Sequence, residues 1–301
     1  MFSFASAFFS IANLVNVALS IAVVGILGVG MTAVILTGGI DLSVGSVVAL
    51  VGVVCAMVGH LGGESFLGVA GAVASGLTVG ATLGAVIGWL VAWWRVPAFL
   101  VTLALFSIAR GLGFVLSGGR SIGDLPSGLS WLGQGLALGI PVPVLVMGLV
   151  LVVGWFVLTR TTWGRWVYAT GGNEQAAWLA GINTRAVTFW TYVANGLLVA
   201  LAGITLAARL GAGVPNAGLG YELDVIAAVV VGGTSLVGGR GGVMGTLIGA
   251  VFIGVLNNAL NLADVDPYMQ RIVLGLVILV AVVAGRVRLA IGLGSSERSP
   301  S

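Results

Sequence analysis

The chain is 301 residues long, 59% hydrophobic and only 7% charged, with a mean hydropathy of +1.18. A soluble domain of this size carries about 25% charged residues, so the medium around most of this chain is lipid. All twelve basic residues are arginine, set against nine acidic ones for a net charge of +3. Without lysine there is no P-loop lysine to hold a nucleotide and no amine for a Schiff base, and the scattered arginines form no nucleic-acid patch.

The first charge in the chain is Asp41 and the first basic residue Arg95. A cleaved leader needs a positive n-region, so the N-terminal apolar stretch is expected to be a retained helix. Apolar runs punctuated by glycine, proline and charge predict nine spans, over 13–37, 42–59, 66–93, 97–117, 141–159, 186–208, 222–237, 242–262 and 270–285. The expected fold is an all-α integral membrane protein: one polytopic bundle over 1–301 with broken helices, a cytosolic segment at 160–185 and a cytosolic tail at 286–301. The positive-inside rule sets the orientation. With Arg286, Arg288 and Arg298 inside, Arg95, the 160–185 segment and Arg240 also fall inside, which places eight of the twelve arginines in the cytosol. Nine crossings then leave Met1 outside. Cys55, the single cysteine, excludes an internal disulfide and is expected as buried filler. The lone His60 is expected at the membrane edge, so no histidine metal cluster is possible.

Along the chain, the densest polar signal is Thr37-Gly38-Gly39-Ile40-Asp41-Leu42-Ser43-Val44-Gly45-Ser46, which interrupts an apolar run. Paired glycines before an acid and two serines break a helix, and non-helical backbone at membrane depth survives only where protein buries it or it lines a cavity. Asp41 has two compatible readings, as a cap accepting from the amides of Ser43 and Val44 at a helix starting at Leu42, and as a cargo contact. Gly76, Gly80, Gly84 and Gly88 recur at a spacing of four, as do Gly241, Gly245 and Gly249. Each set occupies one helix face and predicts close helix packing. Arg110 sits inside a span and should pair with Asp41 or Asp224. Asn195, Asn257, Asn258 and Asn261 lie within later spans, while Tyr221, Glu222 and Asp224 open another. These groups suit either helix–helix hydrogen bonds or the route of a neutral, hydroxyl-rich cargo. Segment 163–183 contains Asn173 as N-cap, Glu174 in the first turn and Gly181 as a stop, which predicts a helix of about two turns carrying Trp178 and Leu179. Such an apolar pair on a cytosolic helix fits a partner's groove or the membrane surface. A second glycine break, Gly232-Gly233-Thr234-Ser235-Leu236-Val237-Gly238-Gly239-Arg240-Gly241-Gly242, has the pattern of duplicated transporter halves.

Gly38-Gly39-Ile40-Asp41-Leu42-Ser43-Val44-Gly45-Ser46 resembles the signature of permeases of the ribose, xylose and arabinose class of ABC importers. The resemblance continues through Arg95-Val96-Pro97-Ala98-Phe99, Ala169-Thr170-Gly171-Gly172-Asn173-Glu174 with Gly181-Ile182-Asn183, Gly220-Tyr221-Glu222-Leu223-Asp224, Val231-Gly232-Gly233-Thr234-Ser235-Leu236, Gly245-Thr246-Leu247-Ile248-Gly249-Ala250 and Leu256-Asn257-Asn258, nearly the whole chain. It implies a multi-pass permease of the bacterial inner membrane that moves a monosaccharide or small polyol by alternating access. The permease would dimerise with a second copy or a sister chain. It would be bound inside to an ATPase with tandem nucleotide-binding domains that holds the ATP and magnesium, and served outside by a periplasmic or lipid-anchored sugar-binding protein. The chain itself would need no cofactor or metal and have no catalytic residue. Gly172, Asn173, Glu174, Ala177, Trp178 and Gly181 would form the ATPase-coupling element. Asp41, Ser43, Asn195, Tyr221, Asp224, Asn257 and Asn258 are the candidates for the translocation path. Family members usually have one further helix before region 9–16, which would return the N-terminus to the cytosol. The rival readings are an ion-coupled secondary transporter or channel using Asp41 or Asp224, and a hydrolase using Ser121 in Gly119-Arg120-Ser121-Ile122-Gly123, although that motif falls in a loop without the strand a nucleophile elbow requires.

Overall fold

The computed structural model describes residues 8–296, with side chains up to position 283. Its elements are α1 (Ile11–Leu36), α2 (Val44–Gly62), α3 (Phe66–Ala92), α4 (Ala98–Ser117), α5 (Ser127–Gln134), a small hairpin of β1 (Leu136–Ala137) and β2 (Ile140–Pro141), α6 (Val142–Arg160), α7 (Thr162–Gly172), α8 (Glu174–Leu179), α9 (Thr184–Leu210), α10 (Tyr221–Val231), α11 (Val243–Leu262) and α12 (Pro267–Ser296). Among the described residues seven helices, α1, α2, α3, α4, α6, α9 and α11, are long and apolar enough to cross a bilayer, and α12 has a shorter apolar stretch over Pro267–Val283.

The crossing expected over 222–237 is instead a half-helix. α10 has 11 residues, about 16 Å at 1.5 Å per residue, against a hydrocarbon core of about 30 Å. It stops because Gly233 turns left-handed (φ +90°) and the amides of Gly233 and Thr234 fold back onto the carbonyls of Val230 and Val229. The end of α1 repeats this geometry: Gly38 has φ +85°, and the amides of Gly38 and Gly39 bond to Ile35 and Val34. The tail expected at 286–301 begins as a continuation of α12, which runs to Ser296; Arg298, and the side chains of Arg286 and Arg288, lie outside the described residues.

Burial sorts the long helices into two groups. The most apolar windows of α1, α2 and α9 are 89%, 72% and 67% buried, whereas those of α3, α4, α6 and α11 are 22–28% buried. α1 is apolar around its whole circumference, as a central helix must be. The outer helices present Leu149, Val152, Ile248 and similar side chains to the surroundings, which in lipid costs nothing. Between α3 and α9 the glycine stripe sets the spacing. A methyl group at Gly80 or Gly84 would strike the carbonyl of Gly196 or Tyr192, and one at Gly88 would meet that of Phe189. On the other flank Gly245 and Gly249 of α11 lie against the carbonyls of Gly232 and Ala228. Two polar ties fix α11 to α1: the Thr32 and Thr246 hydroxyls 2.6 Å apart, and a reciprocal amide pair between Asn13 and Asn258 at 2.8 and 2.9 Å.

Candidate functional site

The polar residues of the first break are collected into one buried node. Asp41 Oδ1 accepts from the amide and the hydroxyl of Ser43 (2.8 and 2.6 Å), and its Oδ2 accepts from Asn195 Nδ2 of α9 at 2.7 Å. The capping expectation is met in part: α2 starts at Val44 rather than Leu42, with Ser43 at the N-cap, so Asp41 takes the Ser43 amide and not that of Val44. Asp41, Ser43 and Asn195 are all buried. Gly30 and Gly39 leave the space that Asn195 Oδ1 and the Tyr192 hydroxyl occupy, and neither of those two atoms has a hydrogen-bond partner. Tyr192 escaped the sequence reading; its signal was a hydroxyl three residues before Asn195 in an apolar run.

Tyr221, Asp224 and Asn257 form a second group, carried by α10 and α11. Residues 211–220 form no helix and descend along α2, Gly213 beside Gly52 and Ala56, then Gly218 beside Gly45 and Val48. α10 begins where this segment ends. Asp224 lies beside Asn257 and faces the charge of Arg271, while Tyr221 feels Arg209. Arg271 was not anticipated, although an arginine one turn into an apolar helix is itself a signal. Arg110 pairs with neither Asp41 nor Asp224. Its Nη1 donates to the carbonyls of Pro215 (3.0 Å) and Ala217 (3.1 Å), and Glu222 is the acid that acts on it through space. The descending loop offers carbonyls that sequence spacing cannot reveal. Asn258 belongs to neither group, being taken up by Asn13.

The third group lies at the arginine-rich end. Thr161 caps α7, a helix the sequence reading did not anticipate, and Asn173 Oδ1 caps α8 by accepting from Ala176 N at 2.9 Å. Gly181 turns left-handed (φ +85°) just beyond α8. Ala177 is buried, whereas Trp178 and Leu179 are 67% and 77% exposed. Glu174 accepts from the Thr184 hydroxyl at 3.3 Å. A cleft of about 770 Å³ runs between this helix and the end of α3, lined by Trp93, Arg95, Glu174, Trp178 and Arg185 among others. Close to it the chain runs backbone against backbone: Gly239 N donates to Leu36 O at 3.0 Å, a methyl group at Gly171 would strike that same carbonyl, and the Tyr168 hydroxyl donates to Gly241 O at 2.9 Å. Burial holds the Tyr168 hydroxyl above its usual pKa. The α7–α8 segment therefore rests directly on both glycine breaks.

Residues 13–282 match the family model described as "Branched-chain amino acid transport system / permease component". The chain belongs to that permease family. The permease is 47% identical over 281 residues to the ribose import permease protein of Haemophilus influenzae (92% of this chain, 86% of the relative), and 48% identical over 282 residues to that of Escherichia coli K12 (91% and 86%). Its identity to the L-arabinose transport system permease protein of E. coli K12 is 38% over 274 residues (91% and 82%). No solved structure matches it. The permease is accordingly a multi-pass protein of the inner membrane, from a family of membrane-spanning, non-catalytic importer subunits.

Proposed function

We propose that the permease imports a monosaccharide or small polyol by alternating access, driven by ATP hydrolysis in a partner subunit. The relatives named for ribose and L-arabinose support the substrate class. One observation carries the mechanism: the short helix α8 exposes Trp178 and Leu179 while α7, joined to it at Asn173, is seated against the carbonyl at the end of α1. In this reading Gly172, Asn173, Glu174, Ala177, Trp178 and Gly181 dock on an ATPase carrying ATP and magnesium in tandem nucleotide-binding domains. Movement of α8 is then passed through Gly171 to Leu36 and the break that holds Asp41. The end bearing Arg95, Arg165, Arg185 and Arg240 is cytosolic by the positive-inside rule, and the whole chain acts as one domain. A second copy or sister permease completes the route, and a soluble binding protein delivers the sugar outside. Asp41, Ser43, Asn195, Tyr221, Asp224 and Asn257 are the proposed route residues.

The test is reconstitution of the permease with its ATPase and binding protein in vesicles. Sugar uptake is expected only with ATP, and replacing Glu174 by Arg or Gly172 by Trp is expected to leave assembly intact while uncoupling hydrolysis from uptake. Uptake that persists without ATP, or at the wild-type rate in both variants, refutes the proposal.

A further inference from the structure

Arg110 and Glu222 form a polar centre that helix packing does not explain. Arg110 stands 12 residues into the 20-residue helix α4, about 18 Å along it and hence deep in the bilayer. Only its Nη1 is used, by the carbonyls of Pro215 and Ala217. Its Nε and Nη2, and Oε2 of Glu222, are buried and have no hydrogen-bond partner. The two charges act on one another through space, yet these three atoms are not joined. Glu222 Oε2 sits in the space left by Gly45, where a Cβ would collide with it and with the Gly218 carbonyl. That places the carboxylate at the N-terminus of the 19-residue helix α2, whose dipole favours a negative charge. The Phe106 ring lies 5.9 Å from the Arg110 guanidinium.

A charged side chain inside a bilayer costs about 2.5–3.5 kcal/mol on insertion scales and is retained where it faces water, a partner or a substrate. Burying a charged donor with its hydrogen bonds unmade adds to that cost. A closed Arg–Glu pair would have met both demands; here the donors and the acceptor are held apart by the carbonyl clamp on one side and the Gly45 pocket on the other. A guanidinium edge with two free donors beside a carboxylate oxygen offers what two neighbouring hydroxyls need, one accepting and one donating.

Resting on the importer reading above, we propose that Arg110 and Glu222 form a cargo-contacting station within the permease, binding a vicinal pair of sugar hydroxyls at the N-terminal end of α2. Arg110 has a second duty there, pinning the descending segment 211–220 through Nη1, while Glu222 serves the cargo alone.

The test exploits Cys55, the only cysteine, which is buried and so silent to water-soluble thiol reagents. In the reconstituted complex Glu222→Cys is expected to react with a charged methanethiosulfonate, whereas Val152→Cys on the outer face of α6 does not. Turnover with ribose-loaded binding protein is expected to slow the reaction at position 222 several-fold. In parallel, Glu222→Gln and Arg110→Lys, which keep shape and one donor respectively, are expected to lower uptake per ATP hydrolysed by about tenfold, the value of a charged hydrogen bond, with ATPase stimulation by the binding protein retained. Absence of labelling at position 222, labelling indifferent to sugar, or wild-type uptake in both conservative variants overturns the proposal. Should the unsubstituted complex import no monosaccharide, the importer reading fails by itself, and labelling at position 222 still reports whether a water-filled route passes this pair.

Discussion

Substituting alanine for Gly80 isolates the contact on which the α3–α9 pair depends. A methyl group there would strike the carbonyl of Gly196 and the Ala200 side chain, and a methyl group on Gly196 would strike the carbonyl of Gly80. Forcing the two backbones apart is an overpacking penalty of about 1–3 kcal/mol. Alanine, however, favours a helix over glycine by about 1 kcal/mol, so the net loss for Gly80→Ala is expected to be about 0–2 kcal/mol. The opposing term is removed by comparison with Gly111→Ala, since Gly111 lies within α4 and a methyl group there meets nothing within 4 Å. That variant should be neutral or stabilised. The difference between the two, about 1–3 kcal/mol, is the clash alone. Reversible unfolding of the purified permease by SDS titration in mixed micelles, followed by tryptophan fluorescence, measures it. The double variant Gly80→Ala/Gly196→Ala should lose less than the sum of the single losses, because one separation of the helices accommodates both methyls. Equal stability changes at Gly80 and Gly111 would refute the role assigned to the stripe.

Three further outcomes are expected. Gly171→Val pushes α7 off the Leu36 carbonyl, and in the reconstituted complex ATP hydrolysis should continue while uptake falls; tight coupling in that variant would contradict the junction. Asn195→Leu leaves Oδ2 of buried Asp41 without its donor, a loss of at least about 1–3 kcal/mol visible in thermal unfolding and partly recovered in the double variant with Asp41→Asn. At the opposite rim, the hydroxyl and then the amide of Ser127 bond to Glu64 and hold its carboxyl below the ordinary value. A depressed folded-state pKa stabilises above the unfolded value and the effect is lost as pH falls through the folded one. The protection factor of the Ser127 amide, its exchange rate relative to the intrinsic rate at each pH, should therefore fall in acid in the native chain but show no such step in Glu64→Gln.

The long spans were legible because lipid leaves a coarse signal: runs of apolar residues closed by Ser65, Pro97, Pro141 or Asn183, whose chemistry starts helices. The boundaries of α3, α4 and α11 fall within a few residues of those expected. α8 was legible for the same reason, its cap and stop both being local. The half-helix α10 was not, since 225–237 carries no charge and only the glycine pair inside it signals the turn. Arg110 shows the other limit. Charge pattern says that a buried arginine needs a partner but cannot say that a non-helical segment more than a hundred positions later will descend beside it and present two carbonyls. Asn258 shows a third limit, because an amide that ties two helices and one that greets a sugar look alike in sequence, and only the structure sets the amide of Asn13 opposite it.

On the proposed importer reading, the two glycine breaks let the bundle carry interrupted helices and still move. At each, a left-handed glycine lets two amides turn back on the last carbonyls, so the helix end is satisfied within its own chain and makes little demand on its neighbours. What joins the two breaks is then slight: one bond from Gly239 to Leu36, and the close seating of Gly171 and Gly238 that only glycine permits. Interfaces made of backbone against backbone, with no side chains interlocked, slide or separate at low cost compared with a packed core, in which volume changes of a single methylene are felt. A junction of this kind is suited to lie between a driven segment and a gated one, whereas the Asp41–Asn195 bond, buried and made side chain to side chain, is suited to stay intact. Rigid halves turning about the glycine contact, with α9 carried along by Asn195, is the motion this distribution of strong and weak contacts allows.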